Sequence, residues 1–446
     1  MTGQCGGRGA EIMSIEEANR TRRKVVAAGI AGNVMEWYDF AVYGYLARTI
    51  GNLYFPADDP KVSLLVAYGA FAAGFLMRPL GAVLFGYIGD RVGRGPSLLW
   101  SVLVMAAPTF AIGLLPTYSQ IGISASILML VFRLLQGLAV GGEYTGSAVF
   151  LAETAHPDRR GFAAAWAPFG AIGGILLGSA AGTVIFNVLP LDQVVAWGWR
   201  VPFLFGVVVG GVGFILRRRM PHDVPAAKKG FPLLGAIQDN PVQMLQVMAL
   251  SLINAVVFYL IFVYVIAWLK QAASIGAAVA LQINSLNMAI MLGVILFFAW
   301  LSDRIGRKPI LAGAAVGLTV LAWPLMALMQ TGTIPLVFLG QLGFALLVGA
   351  YSAVIPITMC EIFPRQVRCS AVSTAYNITL GLAGGTAPAV ATWLIDHTGN
   401  TLIPAFYIML ASALAAAAAL SIHPHAHRAI ADSVIPHDVA PAGTGG

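Results

Sequence analysis

The sequence predicts an all-α membrane protein of twelve transmembrane helices in two pseudo-symmetric six-helix bundles. Three observations predict it. The 446 residues are 58% hydrophobic and only 10% charged, with a mean hydropathy of +0.81, far more apolar than a water-soluble surface allows. Charges, prolines and short polar clusters divide the chain into about twelve apolar runs, each of the ~18 or more residues that cross ~30 Å of hydrocarbon. Two charged loop sequences also recur in the same order in both halves of the chain.

The runs fall at 25–48, 62–88, 97–115, 121–151, 161–187, 199–216, 241–269, 277–300, 309–329, 334–359, 370–395 and 402–422. They are continuously apolar rather than alternating, so helices, not barrel strands, are the spanning form. The expected organisation is an N-terminal tail (1–24), a first bundle (25–216), a linker (217–240), a second bundle (241–422) and a C-terminal tail (423–446). The first 24 residues are polar and charged, not an apolar stretch with a cleavage site, so no removable signal peptide is expected.

Basic residues concentrate in both tails and in every second loop: Arg91 and Arg94; Arg159 and Arg160; Arg217 to Arg219; Arg304, Arg307 and Lys308; Arg365 and Arg368. Short loops rich in Lys and Arg stay on the cytoplasmic side, which places both termini in the cytoplasm. The net charge of +7 is thereby topology, and nucleic-acid binding is not expected. Cys5, Cys360 and Cys369 fall in the tail or near cytoplasmic helix ends, where no disulfide is expected. The segment His423–His427 reads as a solvated tail, not a metal site.

The repeat is explicit. The loop after span 2 reads GYIGDRVGRGP, with Asp90, Arg91, Gly93 and Arg94; the loop after span 8 reads AWLSDRIGRKP, with Asp303, Arg304, Gly306 and Arg307. Glu153 precedes Arg160 by seven residues after span 4, as Glu361 precedes Arg368 after span 10. Spans 1–6 and 7–12 are therefore copies of one unit, a known plan for transporters with a binding site between the halves near mid-membrane. GDRVGRG has the look of a nucleotide loop but no strand precedes it. No loop assembles a nucleophile, base and cofactor site, so an enzyme is not expected.

The D-R-x-G-R loops, with RLLQGLAVGG (Arg133 to Gly142) on span 4, resemble the signatures of the major facilitator superfamily. GNVMEWYDF, GFLMRPLGA, QGLAVGGEYTG and WGWRVPF resemble its metabolite:proton symporter branch, which includes α-ketoglutarate, citrate, shikimate and proline/betaine carriers. The resemblance covers nearly the whole chain. It implies the major facilitator fold, alternating access, a proton as coupling ion with no other cofactor, and a chain that works as a monomer in the bilayer on a small-molecule substrate. Gly95 and Pro96 stand where the family often has a second basic residue.

Five charges lie well inside spans: Glu36, Asp39, Arg78, Arg133 and Glu143. Each costs about 2.5–3.5 kcal/mol against lipid, so they must be sheltered in the bundle interior, where they mark function or hold helices in register as structural ion pairs. All five belong to the first half. Asn33, Glu36, Asp39, Phe40 and Tyr43 share one stripe of span 1, and Arg133, Gln136, Val140, Glu143 and Ser147 one stripe of span 4. Glu36 and Arg133 both lie roughly 17–18 Å into their spans, near mid-bilayer. Glu36 or Asp39 with Arg133 is the expected coupling pair, served by Gln136, Tyr43 and Asn33; Arg78 with Glu143 is the expected inner pair. Protonation of the span 1 carboxylate would free Arg133 for a substrate carboxylate.

A small organic acid is the first expected solute. The alternative is a zwitterion such as proline or betaine, its ammonium resting on Trp37, Tyr43 or another aromatic face. Osmosensing proline/betaine carriers can have a long coiled-coil extension, and the sequence after Ile422 has no heptads, which ranks organic acids first. A drug:proton antiporter of the same architecture is a further reading. The glycines at 137, 141, 142 and 146, and at 170, 174 and 178, have the spacing of close helix contacts.

Overall fold

The computed structural model describes residues 15–92, 94–217, 239–364 and 367–422, and the side chains of 15–29, 86–92, 94–98, 154, 216–217 and 369 lie outside that description. Among the described residues every regular element is helical. Span 1 is Ile15–Tyr45 continued by Ala47–Tyr54, span 2 Pro60–Leu76 with Arg78–Val92, span 3 Arg94–Leu114 and span 4 Ile123–Val140 with Glu143–Thr154. Span 5 is Arg160–Ala164 with Trp166–Val188, and span 6 is Arg200–Arg217 preceded by a π-helical turn, Val194–Gly198. The second half repeats the plan. Span 7 runs through Pro241–Leu252 and Val265–Ala273, span 8 is Ala277–Ile305, span 9 Arg307–Gln330 and span 10 Ile334–Ile362. Span 11 combines Arg368–Thr379 and Ala387–Thr398, and span 12 is Ile403–Leu420.

Nine of the described helices are long and apolar enough to cross a bilayer, and span 6, bent by 50°, is a tenth. Span 1, which carries Glu36 and Asp39, and span 3, apolar over Leu99–Leu114, complete the twelve. Span 1 begins ten residues before the predicted position, because the polar segment from Ile15 continues the helix. Between the two pieces of span 7 lie π-helical turns at Ile253–Val257 and Tyr259–Tyr264. Their displaced carbonyls find side-chain donors: Gln341 Nε2 bonds Ile261 O at 3.0 Å, and Tyr45 Oη bonds Phe262 O at 2.8 Å.

Glycine decides how closely helices cross. A Cβ at Gly137 would meet Gly74 O at 1.7 Å, and one at Gly141 would meet Arg78 O at 2.2 Å, so spans 2 and 4 touch backbone to backbone. Gly174 lies likewise against Val34 O, where a Cβ would come within 2.3 Å, and seats span 5 on span 1. Gly142 and Gly146 meet nothing within 4 Å, so that half of the predicted glycine pattern is not a helix contact. These crossings bring the polar stripe of span 1 against spans 2, 3 and 4.

Candidate functional site

Asn33, Glu36, Asp39 and Tyr43 recur at intervals of three or four residues, so one face of span 1 turns all four inward, and each is at most 1% exposed. The face carries two ion pairs. Arg78 Nη2 lies 2.6 Å from Glu36 Oε1, and Arg133 Nη1 lies 3.6 Å from Asp39 Oδ2. The expected pairing of Arg78 with Glu143 is thus replaced by Arg78 with Glu36. Two breaks explain it. Span 2 interrupts at Met77, whose N–H bonds Gly74 O, and restarts at Arg78, whose carbonyl sits under Gly141. Span 4 breaks at Gly141 and Gly142, and Glu143 begins the next piece turned towards span 3, 3.5 Å from Ser101 Oγ.

Asp39 is held by more than its arginine. Thr109 Oγ1 stands 2.7 Å from Asp39 Oδ1, and Gln136 Nε2 donates to the same oxygen at 2.9 Å. The carbonyl end of Gln136 accepts from Arg133 Nη1 at 2.9 Å, so the amide bridges the two charges. Arg133 lies against the rings of Tyr43, Phe40 and Phe71, at 4.2, 4.7 and 5.4 Å. Tyr43 fixes its own ring by donating to Ala67 O at 3.0 Å, and Asn33 donates to Ser147 Oγ at 2.9 Å. Thr109 is the participant that sequence reasoning missed. Its one available signal is its place directly after Pro108, the proline inside span 3.

Arg78 faces the second half. Its Nε donates to Asn377 Oδ1 at 3.2 Å, and Asn377 Nδ2 donates in turn to Gly141 O at 2.6 Å. The guanidinium lies 5.6 Å from the Trp37 ring. Beyond Trp37 is a narrow cavity between the halves, lined by Trp37, Tyr144, Phe258, Tyr376, Asn254 and Ser352 among others. Tyr144 and Tyr376 stack at 4.9 Å across the division between the halves, and Trp37 meets Phe258 at 6.4 Å. The result is an aromatic box with a guanidinium at its edge. Nη1 of Arg78, like Nε and Nη2 of Arg133, is buried without a hydrogen-bond partner, so each cation keeps donors for an incoming acceptor.

The halves are tied on both sides of this cavity. On the face of the repeated loops, Arg368 Nη1 meets Glu153 Oε1 at 2.8 Å. Asp303 accepts from the backbone N–H groups of Gly161 and Phe162, each at 2.9 Å, which caps the start of span 5 from the other half. Arg307 lies 2.8 Å from Asp303 and 3.5 Å from Glu361, with Arg160 buried beside them. Arg304 stacks on Trp300 at 4.0 Å, and Gly306 takes a φ of 94°, a turn that favours glycine. The side chains of Asp90, Arg91 and Arg94, and Gly93 altogether, lie outside the described residues. On the opposite face Lys61 pairs with Asp396, and Asn284 Nδ2 donates to Tyr45 Oη at 3.0 Å.

Residues 38–359 and 268–434 match the Major Facilitator Superfamily. The chain is 36% identical over 405 residues to the glycine betaine/proline/ectoine/pipecolic acid transporter OusA of Dickeya dadantii, covering 87% of this chain and 80% of that one. It is 35% identical over 405 residues to the proline/betaine transporter of Escherichia coli K12, with 87% and 81% covered. Its fold is similar to that of the proton:xylose symporter XylE bound to 6-bromo-6-deoxy-D-glucose, with a TM-score of 0.73 at 17% identity over 90% of this chain and 95% of that one. On these matches and the helical plan described above, the chain belongs to the major facilitator superfamily and is a membrane transporter, not an enzyme.

Proposed function

We propose that the chain is a proton-coupled symporter of a small zwitterion of the proline or glycine betaine kind, resident in a bacterial inner membrane with both termini and the repeated loops on the cytoplasmic side. The observation that carries this reading is charge balance at the site. Two buried guanidiniums, Arg78 and Arg133, already face two buried carboxylates, Glu36 and Asp39. A zwitterion adds no net charge to that set, whereas a di- or tricarboxylate brings two or three negative charges against the one cation, Arg133, that protonation of Asp39 leaves uncompensated among the described residues of the site. The organic acid expected first from the sequence therefore yields to the osmolyte, and the substrates named for the two relatives point the same way.

The lining of the cavity supports the choice, and the space itself, which admits little more than a water while both faces are tied, must widen to take the solute. A quaternary or secondary ammonium is attracted to the faces of aromatic rings and needs no carboxylate partner, and Trp37, Tyr144, Phe258 and Tyr376 supply such faces. Arg78, at the edge of the box with an unused N–H, takes the substrate carboxylate, a role the sequence alone assigned to Arg133. Asp39, opposite Arg133, carries the proton. Its neutral form frees Arg133 from its counter-ion, which changes the charge of the site as the halves rock.

The test is uptake into proteoliposomes of glycine betaine, proline, α-ketoglutarate, citrate and shikimate, with and without an inward proton gradient. Gradient-driven uptake of betaine or proline is expected. Gradient-driven uptake of citrate or α-ketoglutarate with neither zwitterion transported overturns the assignment.

A further inference from the structure

The hydroxyl of Thr109 has one proton and two acceptors within reach. Asp39 Oδ1 lies 2.7 Å away and the main-chain oxygen of Met105 lies 2.8 Å away. Gln136 Nε2 donates to both Asp39 Oδ1, at 2.9 Å, and Thr109 Oγ1, at 3.0 Å. All of these groups are buried.

Two complete bonding schemes fit this one arrangement of heavy atoms. With Asp39 ionised, Thr109 donates to Oδ1 and accepts from Gln136. With a proton on Oδ1, that proton is donated to Thr109 Oγ1 and the Thr109 hydroxyl turns by its own rotation to Met105 O. Gln136 keeps both of its bonds in either scheme. Asp39 Oδ1, Thr109 Oγ1 and Gln136 Nε2 keep partners in either scheme and no heavy atom moves, while Asp39 Oδ2, which has no hydrogen-bond partner, faces Arg133 at 3.6 Å in both. We propose that Thr109 is the positioning residue of the proton site, a hydroxyl rotor that stabilises Asp39 in both protonation states and lets the carboxylate load and unload while buried in the bundle.

The chemistry is specific to a hydroxyl. A buried carboxyl that changes charge otherwise leaves an orphaned polar atom in one of its two states, and a side chain that only donates, or only accepts, serves one state alone. The other groups facing Asp39 do not fill the role. Arg133 on span 4 is a donor only and stands 3.6 Å from Oδ2. Tyr38, beside Asp39 on span 1, gives its hydroxyl to Pro202 O on span 6 at 2.6 Å. Glu36, one turn back, faces Arg78, and Tyr43, one turn on, donates to Ala67 O. Residues 99–114 of span 3 and 166–188 of span 5 hold no titratable side chain, and span 6 holds them only at its ends, in Arg200 and Arg217.

The inference rests on the reading that Asp39 carries the proton, and the experiment separates the two. Full-length Thr109→Val, Thr109→Ser and Asp39→Asn are reconstituted in proteoliposomes. The pH profile of glycine betaine uptake is measured, and the protonated-carboxyl stretch of the substrate-free proteins is titrated by infrared spectroscopy. Thr109→Val removes the charge-assisted bond to the carboxylate, so both midpoints are expected to move about one pH unit upwards, with the stretch shifted in frequency as its hydroxyl partner disappears. Thr109→Ser is expected to restore both. Wild-type midpoints in Thr109→Val, or equal shifts in Val and Ser, overturn the rotor. A carboxyl stretch that survives in Asp39→Asn, with gradient-driven uptake intact, overturns the proton assignment itself.

Discussion

Glu36 and Arg78 meet at 2.6 Å with both side chains 1% exposed, one turn from a second pair, Asp39 and Arg133, that stands at 3.6 Å. The short contact is made between the first two spans, while Nε of the same arginine reaches Asn377 in the other half. Arg78 therefore belongs to both bundles, and its charge is compensated on one side only. Glu36→Gln leaves that guanidinium buried without its counter-ion, at a cost of about 3–5 kcal/mol. The expected outcome is a clear fall in unfolding temperature in detergent, largely recovered in the double variant Glu36→Gln/Arg78→Gln. Uptake is expected to stay abolished in that double variant, because the cation assigned to the substrate is gone.

The helix crossing below this pair gives an independent prediction. Gly137→Ala puts a methyl where Gly74 O already stands, at 1.7 Å, and Gly141→Ala does the same to Ala82 N at 2.1 Å. Neither neighbour is a flexible side chain, so spans 2 and 4 must separate, at about 1–3 kcal/mol or more each. Gly142→Ala and Gly146→Ala meet open space. Membrane yields and size-exclusion profiles are expected to collapse for the first two variants and to match wild type for the others, although all four glycines share one sequence pattern.

That contrast shows what the sequence makes legible. Charge is expensive in lipid, so Glu36, Asp39, Arg78 and Arg133 declare a shared interior from composition alone, and the doubled loops declare the two halves. Pairing is another matter. A helical wheel assumes an unbroken helix, and the breaks at Met77 and at Gly141–Gly142 rotate Arg78 towards Glu36 and Glu143 towards Ser101. Thr109 is invisible for a different reason, since a neutral hydroxyl in an apolar run costs little and is satisfied within its own helix by Met105 O. The ties of Lys61 to Asp396 and of Arg78 to Asn377 join residues 335 and 299 positions apart, and no local pattern encodes them.

On the face of the repeated loops, Asp303 holds the start of span 5 through two backbone N–H groups, and Arg307 holds Asp303. A carboxylate at a helix start gains from the dipole as well as from its bonds. Asp303→Asn retains the shape but loses the charge and one acceptor. A single cysteine introduced in the cavity is expected to react several-fold faster with a reagent applied from the loop side. Unchanged labelling would show that Arg368–Glu153 alone keeps this side shut.

The opposite face closes by different means. Lys61 and Asp396 form an ion pair across the halves with side chains 63% and 46% exposed, at the ends of spans 2 and 11. An exposed pair adds little to stability, so Lys61→Ala and Asp396→Asn are expected to unfold at the wild-type temperature. Its leverage is on the balance between states, because the contact exists only while that face is closed. Both variants should raise cysteine labelling from the opposite side, and Lys61→Glu combined with Asp396→Lys should reverse the gain. Raised salt should mimic the single variants, since exposed charges are screened within ~8 Å at physiological ionic strength. An exposed ammonium–carboxylate pair keeps both charges between roughly pH 5 and 8. The latch is thus blind to pH across the range where uptake responds to protons. A pH profile that moves in Asp396→Asn would place a proton-sensing group on this face and remove Asp39 from that role.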